Sequence, residues 1–116
     1  MVSPTLLVGA GGVLGALSRH LLGERIDART RDTLAVNVVG SFLLGVLVTA
    51  PIGDSLLLVF GTGFCGAFTT FSTFAFETVR LVETGEPRRA AINAAVNLAG
   101  ALGAVGLGWT AVGFLA

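Results

Sequence analysis

The chain has no lysine and no tyrosine, one cysteine, one histidine, and little charge of either sign. Without lysine it cannot supply the Gly-Lys-Ser/Thr element of a Walker-type phosphate loop. Its net charge of zero gives no basic footprint for nucleic acid, so no nucleic-acid partner is expected. Cys65 alone cannot close an internal disulfide, and together with His20 it provides too few soft ligands for a zinc site. Charged residues make up 12% of the sequence, about half of the ~25% typical of a water-soluble domain. No basic side chain precedes Arg19, so the first apolar stretch lacks the charged flank of a secretory signal and is expected to be a retained span.

What is present is apolar. Hydrophobic residues account for 53% of the 116 positions, and glycine adds 17 more. The charges gather at Arg19 to Asp32, at Asp54 and at Glu77 to Arg89, which leaves apolar stretches at 2–23, 33–53, 55–76 and 90–114. Each meets the requirement of about 20 residues for crossing a bilayer. The expectation is an all-α, multi-pass protein of the cell membrane. It has four transmembrane helices, a single domain over 1–116, and no enzymatic activity.

In the first span Gly11 and Gly15 are four apart and share a helix face, so another backbone can approach closely. The span ends at Ser18-Arg19-His20. The second begins near Thr33 and carries Asn37 and Ser41 at successive four-residue steps, and Pro51-Ile52-Gly53-Asp54 then makes a tight turn. In the third, Leu56 to Phe60 reads as ordinary membrane helix, but Gly61 to Phe74 contains three glycines and four threonines. A glycine in a helix interior costs about 1 kcal/mol relative to alanine, so a break near Gly66 to Thr70 is expected. Non-helical backbone at membrane depth persists only where protein or a wet cavity surrounds it, which makes the break itself a functional signal. Helix resumes from Phe71 through Val82 and stops at Gly85 and Pro87. The fourth span starts about Arg89, carries Asn93 and Asn97, and continues with the small residues Gly100, Ala104 and Gly108.

Three features could carry chemistry. Gly61-Thr62-Gly63-Phe64-Cys65-Gly66 is a literal G-x-G-x-x-G, but dinucleotide binding needs a soluble βαβ unit and the flanks here are spans. Asn37, Asn93 and Asn97 lie within spans, where an unpaired amide is costly. They serve either as interhelical hydrogen bonds or as a polar path for a permeating species. Phe71 and Phe74 are three apart on one face among Thr69, Thr70, Ser72 and Thr73. They are either packing residues or an anion contact, because the edge of an aromatic ring is electropositive. For Arg19 and Glu77, near span ends, an interfacial anchor and a vestibule role both stand. His20 and Cys65 read as structural.

The run Gly63 to Phe74, GFCGAFTTFSTF, strongly resembles the signature of the Fluc (CrcB) fluoride channels. The resemblance extends along the chain, through Gly11 to Arg19 in the first span, Thr33 to Phe42 in the second and Asn93 to Gly100 in the fourth. It implies an antiparallel dual-topology dimer with two narrow fluoride pathways. By that resemblance Phe71, Phe74 and Asn37 match pore residues, with Thr33, Ser72 and Thr73 on the polar side and Arg19 and Glu77 near the mouths. Asn93 and Asn97 stand where family members often have Tyr and Ser, Ala101 replaces a hydroxyl, and His20 replaces an aromatic residue. The resemblance also implies a structural Na⁺ held by backbone carbonyls at Gly66 and Thr69. Exposed carbonyls at a helix break suit such a hard cation.

The function implied is passive, fluoride-selective export that lowers fluoride toxicity. The partners are the fluoride ion, membrane lipid and a second subunit, either an identical chain or a related one. The rival is a small proton-coupled exporter of cationic drugs. That mechanism needs a carboxylate within a span, and the first span has none. A structural subunit of a larger complex would explain the glycine-rich faces and leave the Phe/Thr cluster unexplained. Arginine adds an expectation about orientation. Arg25, Arg29, Arg31, Arg80, Arg88 and Arg89 all belong to the connectors Glu24–Asp32 and Glu77–Arg89, Arg19 lies at their edge, and the opposite side has none. The positive-inside rule therefore predicts cytoplasmic connectors and external termini.

Overall fold

A computed structural model describes residues 2–26 and 29–115, without the side chains of Arg29 and Thr30. Asp27 and the Arg29 side chain, both in the first charged connector, lie outside the described residues. Helix α1 spans Pro4–Arg25; the Ser3 hydroxyl accepts the Leu6 N–H at 3.2 Å, and Pro4 takes the first helical turn, where its missing N–H costs nothing. Helix α2 spans Arg29–Thr49. Gly53, at φ 82°, supplies the left-handed residue that turns the chain into α3, Asp54–Leu56.

The third span departs from a plain helix twice. After α3 the backbone widens into a π-helix over Leu57–Cys65, then returns to α-helix as α4, Gly66–Phe68. The Leu56 to Phe60 run, expected to be ordinary helix, is thus mostly π-wound. The interruption falls at Thr69 to Phe71, and α5, Ser72–Glu83, follows it. Gly66 is itself helical, at φ −61° and ψ −38°, while Thr69 is extended at φ −85° and ψ 165°. The break thus overlaps the expected Gly66 to Thr70 window at its C-terminal end and extends one residue past it. Helix α5 ends in a Schellman arrangement: Glu86 N–H donates to the Leu81 carbonyl at 2.8 Å and Gly85 N–H to that of Val82 at 3.1 Å, with Gly85 at φ 84°. Helix α6 then runs over Pro87–Leu115.

Glycine sets the packing. An added Cβ at Gly11 would collide with the Val59 carbonyl, and at Gly15 with that of Phe64, so α1 lies backbone to backbone on the π-helical stretch. Gly45 on α2 and Gly108 on α6 do the same for the other main pair, facing the carbonyls of Val105 and Phe42. Four helical segments, Pro4–Arg25, Arg31–Thr49, Asp54–Glu83 and Pro87–Leu115, are long and apolar enough to cross a membrane. Large apolar side chains such as Leu14, Leu21, Leu102 and Trp109 point outward, while the buried set includes the small residues Cys65, Ala90 and Ala104. An outside this apolar belongs in lipid, and the protein is a multi-pass membrane protein.

Candidate functional site

The break is built by side chains that take the helix's own donors. In an uninterrupted helix Thr70 N–H would bond the Gly66 carbonyl. Here it donates to Asn37 Oδ1 at 2.8 Å, and Asn37 Nδ2 returns a bond to the Thr70 carbonyl at 3.0 Å. Likewise Thr73 N–H, the helical partner of the Thr69 carbonyl, donates to Thr70 Oγ1 at 3.1 Å and so caps α5. The carbonyls of Gly66 and Thr69 are thereby released from helical pairing, with no other donor to them among the described residues. The Thr69 hydroxyl folds back on the Cys65 carbonyl at 2.8 Å, leaving its own carbonyl as the group on offer.

A groove of about 620 Å³ opens beside this break. Asn37, Gly66, Thr69, Phe71, Phe74 and Asn97 line it, with Thr70, Ser41 and Ala101. The Phe71 and Phe74 rings lie with centroids 5.9 Å apart and planes tilted by 52°. Phe71 is 78% exposed, so a large ring stands open at the groove's edge.

The remaining residues of interest surround the break rather than line the groove. Arg19 borders a second cavity of about 570 Å³ near the connector end, with His20, Glu24 and Asp32, and donates from Nη2 to Thr73 Oγ1 at 3.0 Å. Ser72 is exposed, with its hydroxyl 3.5 Å from that of Thr70. Thr33 is buried in α2 and Glu77 in α5, one helical turn beyond Thr73. Asn93 borders a third cavity, with Arg31 and Arg89. His20 is occupied in an exposed pair with Glu24 at 2.9 Å.

Two residues do more than the sequence pattern assigns them. Thr70 is the hub of the break, meeting Asn37 through its backbone and capping α5 through its hydroxyl. Its signal was present: a threonine three residues before a helical donor is an N-cap pattern. Thr78 joins α5 to α6 by accepting from Asn93 Nδ2 at 3.1 Å, and no local pattern marks it.

Residues 6–109 match the family model described as CrcB-like protein, Camphor Resistance (CrcB). The chain is 57% identical to the fluoride-specific ion channel FluC 2 of Haloarcula marismortui over 106 residues, which cover 89% of this chain and 88% of that one. It is 44% identical to FluC 2 of Moorella thermoacetica, covering 95% of this chain and 97% of the relative. It is also 44% identical to FluC of Methanocaldococcus jannaschii, over 88% of each. None of these matches supports a multidrug exporter.

Proposed function

Since the chain belongs to the CrcB-like family, whose members here are named as ion channels rather than enzymes, we propose that it is a fluoride channel exporting the anion passively. Hydrogen fluoride, a weak acid, crosses lipid neutral and dissociates inside. A pore that passes the trapped anion down its gradient lowers the internal concentration and so the toxicity.

The observation that carries this reading is the Phe71–Phe74 pair beside Asn37 on the groove. Aromatic edges are electropositive, so two tilted rings can receive a small anion without a fixed cation that would hold it. An amide nitrogen carries two donors. The Thr70 carbonyl takes one from Asn37, leaving the other to replace part of the anion's hydration. Ser72 and Thr73 add hydroxyls at the start of α5, Thr33 one in α2, and Arg19 and Glu77 act at the entrances. The direct test is fluoride efflux from liposomes containing the purified protein. Rapid release that chloride does not share supports the reading, and release no faster than from empty liposomes rejects it.

A structural Na⁺ belongs to the same proposal. The Gly66 and Thr69 carbonyls, freed of helical donors, fit a hard cation that takes oxygen ligands. Such an ion would hold the non-helical turn without side-chain charge, and an antiparallel partner would bring the same pair of carbonyls. Exposed Phe71 at the groove's edge supports a second subunit as its cover. The arginine bias favours insertion with the connectors inside, so the opposite orientation comes from a related chain or from a minority of inverted copies. A C-terminal reporter active on one side only should read mainly external for this chain expressed alone. Equal signal from both sides would restore simple dual topology in a homodimer.

A further inference from the structure

Helix α5 carries Phe74 but cannot take its place from helical continuity, because the backbone pairing is severed at Thr69 to Phe71. Its position has to come from tertiary contacts, and one of these is a four-part relay. Asn97 Nδ2 donates to the Asn93 carbonyl at 2.9 Å and to Asn93 Oδ1 at 3.2 Å. Asn93 Nδ2 donates to Thr78 Oγ1 at 3.1 Å, and Thr78 Oγ1 donates to the Phe74 carbonyl at 2.8 Å.

The chemistry fixes each orientation. A backbone carbonyl only accepts, so Asn97 must turn its nitrogen toward that of Asn93. Thr78 has one hydroxyl hydrogen, committed to Phe74, so its oxygen must accept from Asn93. Read outward, Asn97 directs its nitrogen at Asn93 and keeps only an acceptor, Oδ1, which is buried and accepts from no described group. An acceptor offers nothing to an anion. Asn93 borders a different cavity from the groove altogether.

We propose that Thr78 is a positioning residue for Phe74, and that Asn93 and Asn97 act through it rather than by touching the permeating ion. The transport readout rests on the fluoride reading above; the placement of Phe74 does not. The experiment compares Thr78→Val, which keeps the shape and loses the hydroxyl, with Thr78→Ser, which keeps the hydroxyl, both in the assembled protein in liposomes. Fluoride efflux per assembled protein is expected to fall about tenfold in Thr78→Val, on the scale that misplacing a functional group produces, and to stay within about twofold of wild type in Thr78→Ser. Asn93→Leu should match Thr78→Val, and the double variant should be no slower than either alone, as for residues in one network. With 4-fluorophenylalanine at position 74, the fluorine NMR resonance should move in Thr78→Val and return in Thr78→Ser. A position-74 resonance indifferent to Thr78→Val, or effects of Thr78→Val and Asn93→Leu that multiply, would overturn the relay. Wild-type liposomes that release no fluoride while the resonance behaves as expected would overturn the transport reading and leave the relay standing.

Discussion

Before the break, the third span is held by backbone against backbone: Gly11 and Gly15 of α1 leave no room for even a methyl group against the carbonyls of Val59 and Phe64. From the break onward the chain is held by side-chain hydrogen bonds: Asn37 exchanges two with the Thr70 backbone, and α5 receives one from Arg19 at Thr73 and one from Asn93 at Thr78. The two means differ in what they specify. Close packing fixes a distance and tolerates no added volume, which makes a wall. Hydrogen bonds fix the direction of individual donors and carbonyls, which is what an ion pathway requires. The proposed pathway residues fall mainly on the half held by hydrogen bonds.

The comparison breaks most severely on the packed side. Gly11→Ala should cost about 1–3 kcal/mol of overpacking and greatly reduce the yield of monodisperse protein in size-exclusion chromatography. Gly12→Ala on the neighbouring face should behave as wild type, because its added carbon meets only the Gly63 carbonyl, at 3.9 Å. A smaller loss is expected on the other half. Asn37→Leu removes two hydrogen bonds worth about 1 kcal/mol each; it should lower the melting temperature modestly while slowing fluoride efflux disproportionately. An equal loss of stability from Asn37→Leu and Gly11→Ala would erase the distinction. Replacing internal and external Na⁺ with a large organic cation should slow efflux by destabilising the turn at Thr69 to Phe71, and unchanged efflux would remove the cation from the account. Among the changes at the break the least effect is expected from Thr69→Ala, which deletes a hydroxyl that donates to the Cys65 carbonyl and leaves the Thr69 carbonyl in place. It should retain sodium-dependent efflux within about twofold.

The same division explains what could be read from the sequence. Span number follows from apolar run length, and the close faces of Gly11 and Gly15 follow from their four-residue spacing, both local properties. The turns at Gly53 and Gly85 are equally local, since each needs a left-handed residue. The break is legible to within a few residues from its glycines and threonines, but its register at Thr69 to Phe71 is set by Asn37, which lies 33 residues from Thr70 in the chain. Gly66, at the start of the expected window, is helical and its Cβ position is open. The π-winding of Leu57–Cys65 is not legible, since its apolar sequence is equally compatible with an α-helix. Among the candidate residues, Phe71, Phe74 and Asn37 do gather on one groove. Asn93 takes its partner Thr78 from another helix, whereas Asn97 donates to Asn93 of its own helix.

The central claim is that the ring pair on the hydrogen-bonded half meets fluoride directly. Its most direct test is liposome fluoride efflux by wild type, Phe71→Ile and Phe74→Ile, compared at equal amounts of assembled protein. An aliphatic side chain of similar bulk keeps the packing and loses the electropositive edge. The account predicts fast efflux from wild type and at least about tenfold slower efflux from each variant, with assembly unchanged, on the scale of one lost favourable contact. Efflux near the wild-type rate in both variants would contradict it and return the two rings to a packing role.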